Sequence, residues 1–143
     1  MNGVSDSNPV ALFEYTIAQL NHLPLAYLHL MEPSAYAPVP AGSLLLPVVT
    51  PHFRKFYHGT LLTNGGYDFA KGNQAIEDHQ ADLVSFGVLF LANPDLPARF
   101  ATGAPLNAPD HQTLYGGGGA AGYTDYPSLS EATPPPATAA ISQ

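Results

Sequence analysis

TLLTNGGYDFAKGNQAIEDHQADLVSFGVLFLANPDLPARF, residues 60–100, holds the alternation on which the fold class turns. Thr60-Leu61-Leu62-Thr63 is a short apolar run halted by Asn64-Gly65-Gly66, the pattern of a strand entering a turn. A helix is predicted over about residues 69–78, weakened by Gly72, because glycine costs a helix interior backbone entropy. Ala81-Asp82-Leu83-Val84-Ser85-Phe86-Gly87 reads as the next strand. Val88 to Ala92 follow it. Asn93-Pro94-Asp95 then sets a side-chain acceptor and a proline where a helix begins, giving a helical turn to about Phe100.

The same order extends toward the N-terminus. Asn8-Pro9 is another cap-and-proline start. Val10, Phe13, Ile17 and Leu20 recur at spacings of three and four, the period of an amphipathic helix that ends near Asn21-His22. Leu25-Ala26-Tyr27-Leu28-His29-Leu30 reads as a buried strand, and Thr50-Pro51 opens a short helix to about Tyr57. Helix and strand alternate throughout, so the class is α/β with parallel strands and helical crossovers.

Composition narrows the function. The chain has 143 residues, whereas a complete (β/α)₈ barrel takes about 250. Four Lys+Arg against eleven Asp+Glu give a net charge of −7, which argues against nucleic acid or an anionic membrane surface as partner. The absence of cysteine excludes disulfides, cysteine-zinc sites and a cysteine nucleophile. No transmembrane run or signal peptide is visible, so a cytoplasmic location is expected. Residues 32–51 hold five prolines and read as a long loop. Residues 116–119 are four glycines, and the Pro/Ala-rich end is expected to be a disordered tail, giving a folded portion over 1–129 and a tail over 130–143.

In parallel α/β folds, ligands sit beyond the carboxyl ends of the strands. Three such ends carry, in turn, His29 with Glu32, then Asn64-Gly65-Gly66, then Phe86-Gly87-Val88. Glycines at a strand-to-helix turn leave main-chain N–H groups bare, and a helix start adds positive dipole character; both suit a phosphate. The same glycines could merely turn the chain, and Gly87 could be a tight turn. His29, among apolar neighbours, reads as a core histidine, and Glu32 as a structural hydrogen-bonding group. The other histidines show no metal spacing, and no nucleophile elbow or Walker loop occurs. Tyr115, Tyr123 and Tyr126 border the glycine run and read as a flexible end.

SDSNP (5–9), AYLHLMEP (26–33), FRKFYHGTLLTNGGYD (53–68), ADLVSFGVLFLANPDLPARF (81–100), GAPLN (103–107) and YGGGG-AAGYTDYP (115–127) together resemble the C-terminal part of the old yellow enzyme family. These are FMN-dependent, NAD(P)H-using ene-reductases on a (β/α)₈ TIM barrel. The ANPDL (92–96) and GYTDYP (122–127) pieces are the most telling. The resemblance implies an incomplete barrel, the sixth to eighth strands with their helices. It implies that Asn64, Gly65 and Gly66, together with Gly87 and the residue after it, Val88, sit at the FMN phosphate. It places Tyr115 near the flavin with Leu114 beside it, and it assigns no catalytic residue and no metal.

Two departures matter. The family has arginine after the Phe-Gly pair, where this chain has Val88, which cannot make a charge-assisted bond to phosphate. The glycine run before GYTDYP is one residue longer than the family pattern. The family's substrate-anchoring pair, its proton-donating tyrosine and its flavin-ring contacts belong to an N-terminal part with no counterpart here. The expectation is therefore an FMN-binding oxidoreductase portion carrying the phosphate half of the site. The alternatives are a catalytically dead fragment, or a module that self-associates or complements an N-terminal barrel fragment.

Overall fold

The computed structural model describes residues 6–33, 46–115 and 119–132. The elements are α1 (Pro9–Leu20), β1 (Leu28–Met31), α2 (Thr50–Phe53), β2 (Leu61–Asn64), α3 (Phe69–Glu77), β3 (Leu83–Ser85), α4 (Val88–Ala92), α5 (Leu96–Thr102) and α6 (Leu129–Ala132). The three strands form one parallel sheet in the order β1-β2-β3, as the alternation predicts. Three strands cannot close a barrel, so β1 and β3 are edges of this sheet. The chain divides into two compact units, 1–86 and 87–143.

In the first unit, Asn8 caps α1 by accepting from the Ala11 N–H at 3.4 Å, and Pro9 occupies the first turn. Parallel register then sorts the strand residues onto two faces. Leu28 pairs with Leu61, and Leu30 with Thr63 and so with Val84; this face meets the helices. Its core is Ile17 of α1, Val49, Phe53 and Tyr57 around α2, and Leu61 of β2, with Leu28 and Leu30 packed against it. The opposite face aligns His29 with Leu62 and Leu83, and Met31 with Asn64 and Ser85. His29, Met31 and Leu83 on that face are exposed.

Several boundaries differ from the sequence-based expectation. The strand expected over 25–30 begins at Leu28, where the Leu28 N–H first reaches the Thr60 carbonyl at 2.9 Å; ahead of it Leu25 turns back on Leu23. It is also half-exposed rather than buried, because an edge strand with one uncovered face has neighbours on too few sides. The helix expected to reach Tyr57 is α-helical only to Phe53. Beyond it the bonds tighten, with Lys55 N–H on His52 and Phe56 N–H on Phe53. The strand expected over 81–87 is confined to Leu83–Ser85, since the Ala81 N–H is turned to Ala75 at the end of α3. Val88–Ala92, left unassigned by the sequence, is helical. Gly72 lies in α3 against Phe86 and Val84, with room for little more than a methyl group. Residues 34–45 of the long loop, 116–118 of the glycine run and 133–143 of the expected tail lie outside the described residues, while 130–132 complete α6.

The second unit is held by side chains that bond main chain across loops. Asn93, fully buried, donates to the Leu89 carbonyl at 2.9 Å and accepts from the Asn107 N–H at 2.7 Å. The Asn107 amide donates to the Ala92 and Pro127 carbonyls, each at 2.8 Å. Arg99, 2% exposed, donates to Asp95 at 2.6 Å, to the Pro105 carbonyl at 2.6 Å and to the Pro127 carbonyl at 2.8 Å. The other Asp95 oxygen accepts from the Leu129 N–H at 2.7 Å. At the start of α6, Ser128 N–H and Oγ both donate to Glu131 Oε2, at 2.8 and 2.6 Å. These bonds explain why ANPDL, GAPLN and YP stand out in the sequence: each supplies a partner to one network.

Arg99's side-chain bond and then Leu129's main-chain bond hold the Asp95 carboxyl below its ordinary value of 3.8. The Ser128 hydroxyl and then the Ser128 N–H do the same for Glu131, ordinarily 4.5, while the Asp95 charge opposes this. With folded values depressed, the unfolded chain binds more protons in the acid range. The stabilisation is therefore complete above the ordinary carboxylate values and is lost as pH falls through the lower, folded ones. The denaturation midpoint, followed by hydrogen exchange in residues 88–132, is expected to drop between pH 6 and pH 3, and Asp95→Asn to flatten that drop. A midpoint constant across this range in the unsubstituted chain would contradict the assignment.

Candidate functional site

The carboxyl end of β2 is the best-formed candidate. Asn64 ends the strand, and Gly65 and Gly66 follow at φ values of 101° and 72°, a left-handed path that suits glycine. The N–H groups of both glycines have no acceptor among the described residues. Among the described residues, none beyond its chain neighbours has an atom within 4 Å of where a Gly66 side chain would begin. A cavity of about 530 Å³ opens here, lined by Gly65, Gly66, Tyr67, Glu32, Lys71 and Gln74 among others.

Side chains fix this turn on both sides. Before it, the Asn64 amide nitrogen donates to the Ser85 carbonyl and to Ser85 Oγ, both at 2.9 Å. After it, Tyr67 Oη donates to Glu32 at 3.4 Å and accepts from Thr63 Oγ1 at 3.2 Å. Thr63 Oγ1 is 2.6 Å from Thr50 Oγ1. Glu32 itself is buried and accepts from the Val49 and Thr50 N–H groups at 2.7 and 3.0 Å. The structural reading of Glu32 thus holds: its oxygens anchor the entry to α2.

The helix-dipole part of the anion-site expectation is corrected. Asp68 caps α3 and accepts from the Lys71 N–H at 2.8 Å, so a carboxylate already occupies that helix end. The two glycine N–H groups remain as anion donors of this turn. Lys71, 3.9 Å from Asp68, is the cation of the cavity lining.

His29 is not the core histidine its neighbours suggested. It is exposed on the open sheet face, with Nε2 3.2 Å from Ser85 Oγ. The alternation of an edge strand puts it there, where a strand buried on both faces would have enclosed it. A second, apolar cleft of about 250 Å³ runs between α1 and the free edge of β1, lined by Val10, Phe13, Ile17, Leu30, Met31 and Phe53 among others. Among the described residues no group of metal ligands forms. No described helix is long and apolar enough to cross a membrane.

The remaining expected residues lie in the second unit. Gly87 precedes α4 and its carbonyl accepts from the Leu91 N–H at 2.9 Å; no atom lies within 4 Å of a Cβ built there. Val88 is the half-buried first residue of α4. Tyr115 is 88% exposed at φ 60°, with its N–H on the Tyr123 hydroxyl at 3.0 Å. Leu114 is half-buried. Sequence reasoning missed Ser85, and no motif signals it: a serine ending a strand is ordinary until register sets it beside Asn64.

No protein-family model matches the chain. It is 47% identical over 127 residues to 12-oxophytodienoate reductase 1 of Oryza sativa subsp. japonica, a match covering 88% of this chain and 33% of that protein. It is 45% identical over 132 residues to a 12-oxophytodienoate reductase-like protein of Solanum lycopersicum, covering 92% and 35%. Among solved structures, morphinone reductase in complex with tetrahydroNAD matches with a TM-score of 0.73 and 42% identity, over 89% of this chain and 32% of that one. The old yellow enzyme from Trypanosoma cruzi matches with a TM-score of 0.77 and 36% identity, over 90% and 32%. The chain spans about a third of the length of these relatives.

Proposed function

From the premise that this chain is a relative of the old yellow enzymes over about nine-tenths of its length, and an incomplete portion of their barrel, we propose that it carries the phosphate-binding corner of an FMN-dependent, NAD(P)H-using ene-reductase. The observation that carries this is the Gly65–Gly66 turn, whose two N–H groups have no acceptor among the described residues at the carboxyl end of a parallel strand. Such donors fit a phosphate: they offer hydrogen bonds without a side chain in the way. The side chain at 88 does not fit, since valine brings no charge to a position where the family resemblance expects arginine. When bound, FMN supplies hydride chemistry that no amino-acid side chain provides.

Asn64, Gly65, Gly66, Gly87 and Val88 border the phosphate in this reading, and Tyr115 lies toward the flavin. Val88 specifically favours a second reading, a catalytically dead fragment, over a module that self-associates or complements an N-terminal barrel fragment, because a working complement would keep its charged clamp on the phosphate. Titrating the purified chain with FMN and riboflavin by flavin fluorescence tests the proposal. Tighter binding of FMN than of riboflavin is expected, and equal or absent binding of both would overturn it.

No described residue is assigned to substrate anchoring or proton donation. The purified chain is therefore expected to show no NAD(P)H-dependent reduction of an activated alkene in an absorbance assay. Turnover would reveal catalytic groups this reading lacks.

A further inference from the structure

Asn64 stands next to the glycine pair and could itself donate to a phosphate. Its geometry says otherwise. The amide nitrogen of Asn64 has two hydrogens, and Ser85 takes both, one on its carbonyl and one on Oγ, each at 2.9 Å. Ser85 Oγ lies in turn 3.2 Å from His29 Nε2, so the bonds cross all three strands: β2 to β3 through Asn64 and Ser85, and β3 to β1 through Ser85 and His29. On the other side of the turn, Tyr67 is tied to Glu32 and Thr63. Gly65 and Gly66 are conformationally free residues held between two tethered ones.

We propose that Asn64 and Ser85 form a positioning clamp that aims the Gly65 and Gly66 N–H groups at a phosphate, and that Asn64 does not touch the phosphate. The inference rests on the proposed phosphate-binding reading and adds a division of labour to it. Glycine turns populate many conformations, so two bare donors converge on one anion only when their flanks are fixed. The clamp fixes one flank without consuming the glycine donors. Ser85 acts through Oγ, its carbonyl being available in any residue.

Ser85→Ala separates the possibilities, since it removes one of the two acceptors and frees an Asn64 hydrogen. A clamp predicts that FMN binds several-fold more weakly to Ser85→Ala, that riboflavin affinity changes less than twofold, and that Ser85→Thr restores FMN binding. A direct Asn64–phosphate contact predicts FMN affinity unchanged or improved in Ser85→Ala. Asn64→Leu should lose FMN affinity by tenfold or more with riboflavin again spared. Circular dichroism and the denaturation midpoint show whether each variant folds, and should Asn64→Leu unfold, the two Ser85 variants decide alone. Unsubstituted chain that binds, with Ser85→Ala binding FMN equally well, overturns the clamp while leaving the phosphate site standing. Equal loss of FMN and riboflavin affinity also overturns it. Unsubstituted chain that prefers FMN no more than riboflavin overturns the phosphate reading and the clamp together.

Discussion

Arg99→Ala is expected to destabilise the second unit by about 3 kcal/mol, a larger stability loss than any surface substitution in this chain should cause. Arg99 is buried and spreads one guanidinium over three acceptors: Asp95, the Pro105 carbonyl and the Pro127 carbonyl. Alanine removes all three donors at once. It strands the Pro105 carbonyl, leaves the Pro127 carbonyl with Asn107 alone, and leaves Asp95 with Leu129 alone on its far oxygen. A net hydrogen bond from a charged group contributes roughly 1.5–3 kcal/mol, and bonds sharing one side chain do not add fully. Arg99→Lys should recover only part of the loss, because a point charge reaches one acceptor where the planar fork reaches three. Chemical denaturation, with hydrogen exchange reporting on residues 103–107 and 127–129, measures the effect. A loss below about 1 kcal/mol would mean that the network is redundant and that Asn93 and Asn107 carry the loops without it.

The second large effect concerns residue 88. Val88→Arg is expected to tighten FMN binding by tens to a hundredfold, equivalent to about 2–3 kcal/mol for a partly buried charge-assisted contact to phosphate. The gain should vanish for riboflavin, which has no phosphate, and should shrink as salt is raised. Val88 is half-buried at the start of α4, so the new side chain has an exit toward solvent and need not be forced into the core. Unchanged FMN affinity in Val88→Arg would remove residue 88 from the phosphate site. It would leave the Gly65–Gly66 donors as the remaining support for an anion.

Much of the proposed site was legible in the chain itself, and the reason differs from residue to residue. Gly65 and Gly66 announce themselves, because a glycine pair after an apolar run has few uses besides a turn or a close approach. Val88 is visible only against a family pattern; nothing local marks it. Ser85 and His29 were not legible as partners. They lie 56 positions apart, and whether they meet depends on how β1, β2 and β3 are registered. A shift of one residue in a strand would have turned His29 to the helices and Ser85 away from Asn64. Asp68 shows a different failure: the helix was read from about residue 69 without a cap, and the filled helix end appears only in the structure.

Alternating apolar runs and glycine stops were enough to determine a parallel α/β chain, since these signals act through backbone propensities and nearest neighbours; of the cap-and-proline signals only Asn8-Pro9 acts as a cap, the Thr50 and Asn93 side chains bonding elsewhere. Local signals set α1, α3, α5 and the three strands to within a few residues, and left α4 and α6 unassigned. Folding in three dimensions alone decided which face of the sheet is covered, that Glu32 is an anchor, that Arg99 ties the loops of its unit, and that Asn64 spends its donors on Ser85. Each of those outcomes is a hydrogen bond or a packing contact between distant positions. Its energy depends on distance and direction in space, which no local pattern encodes.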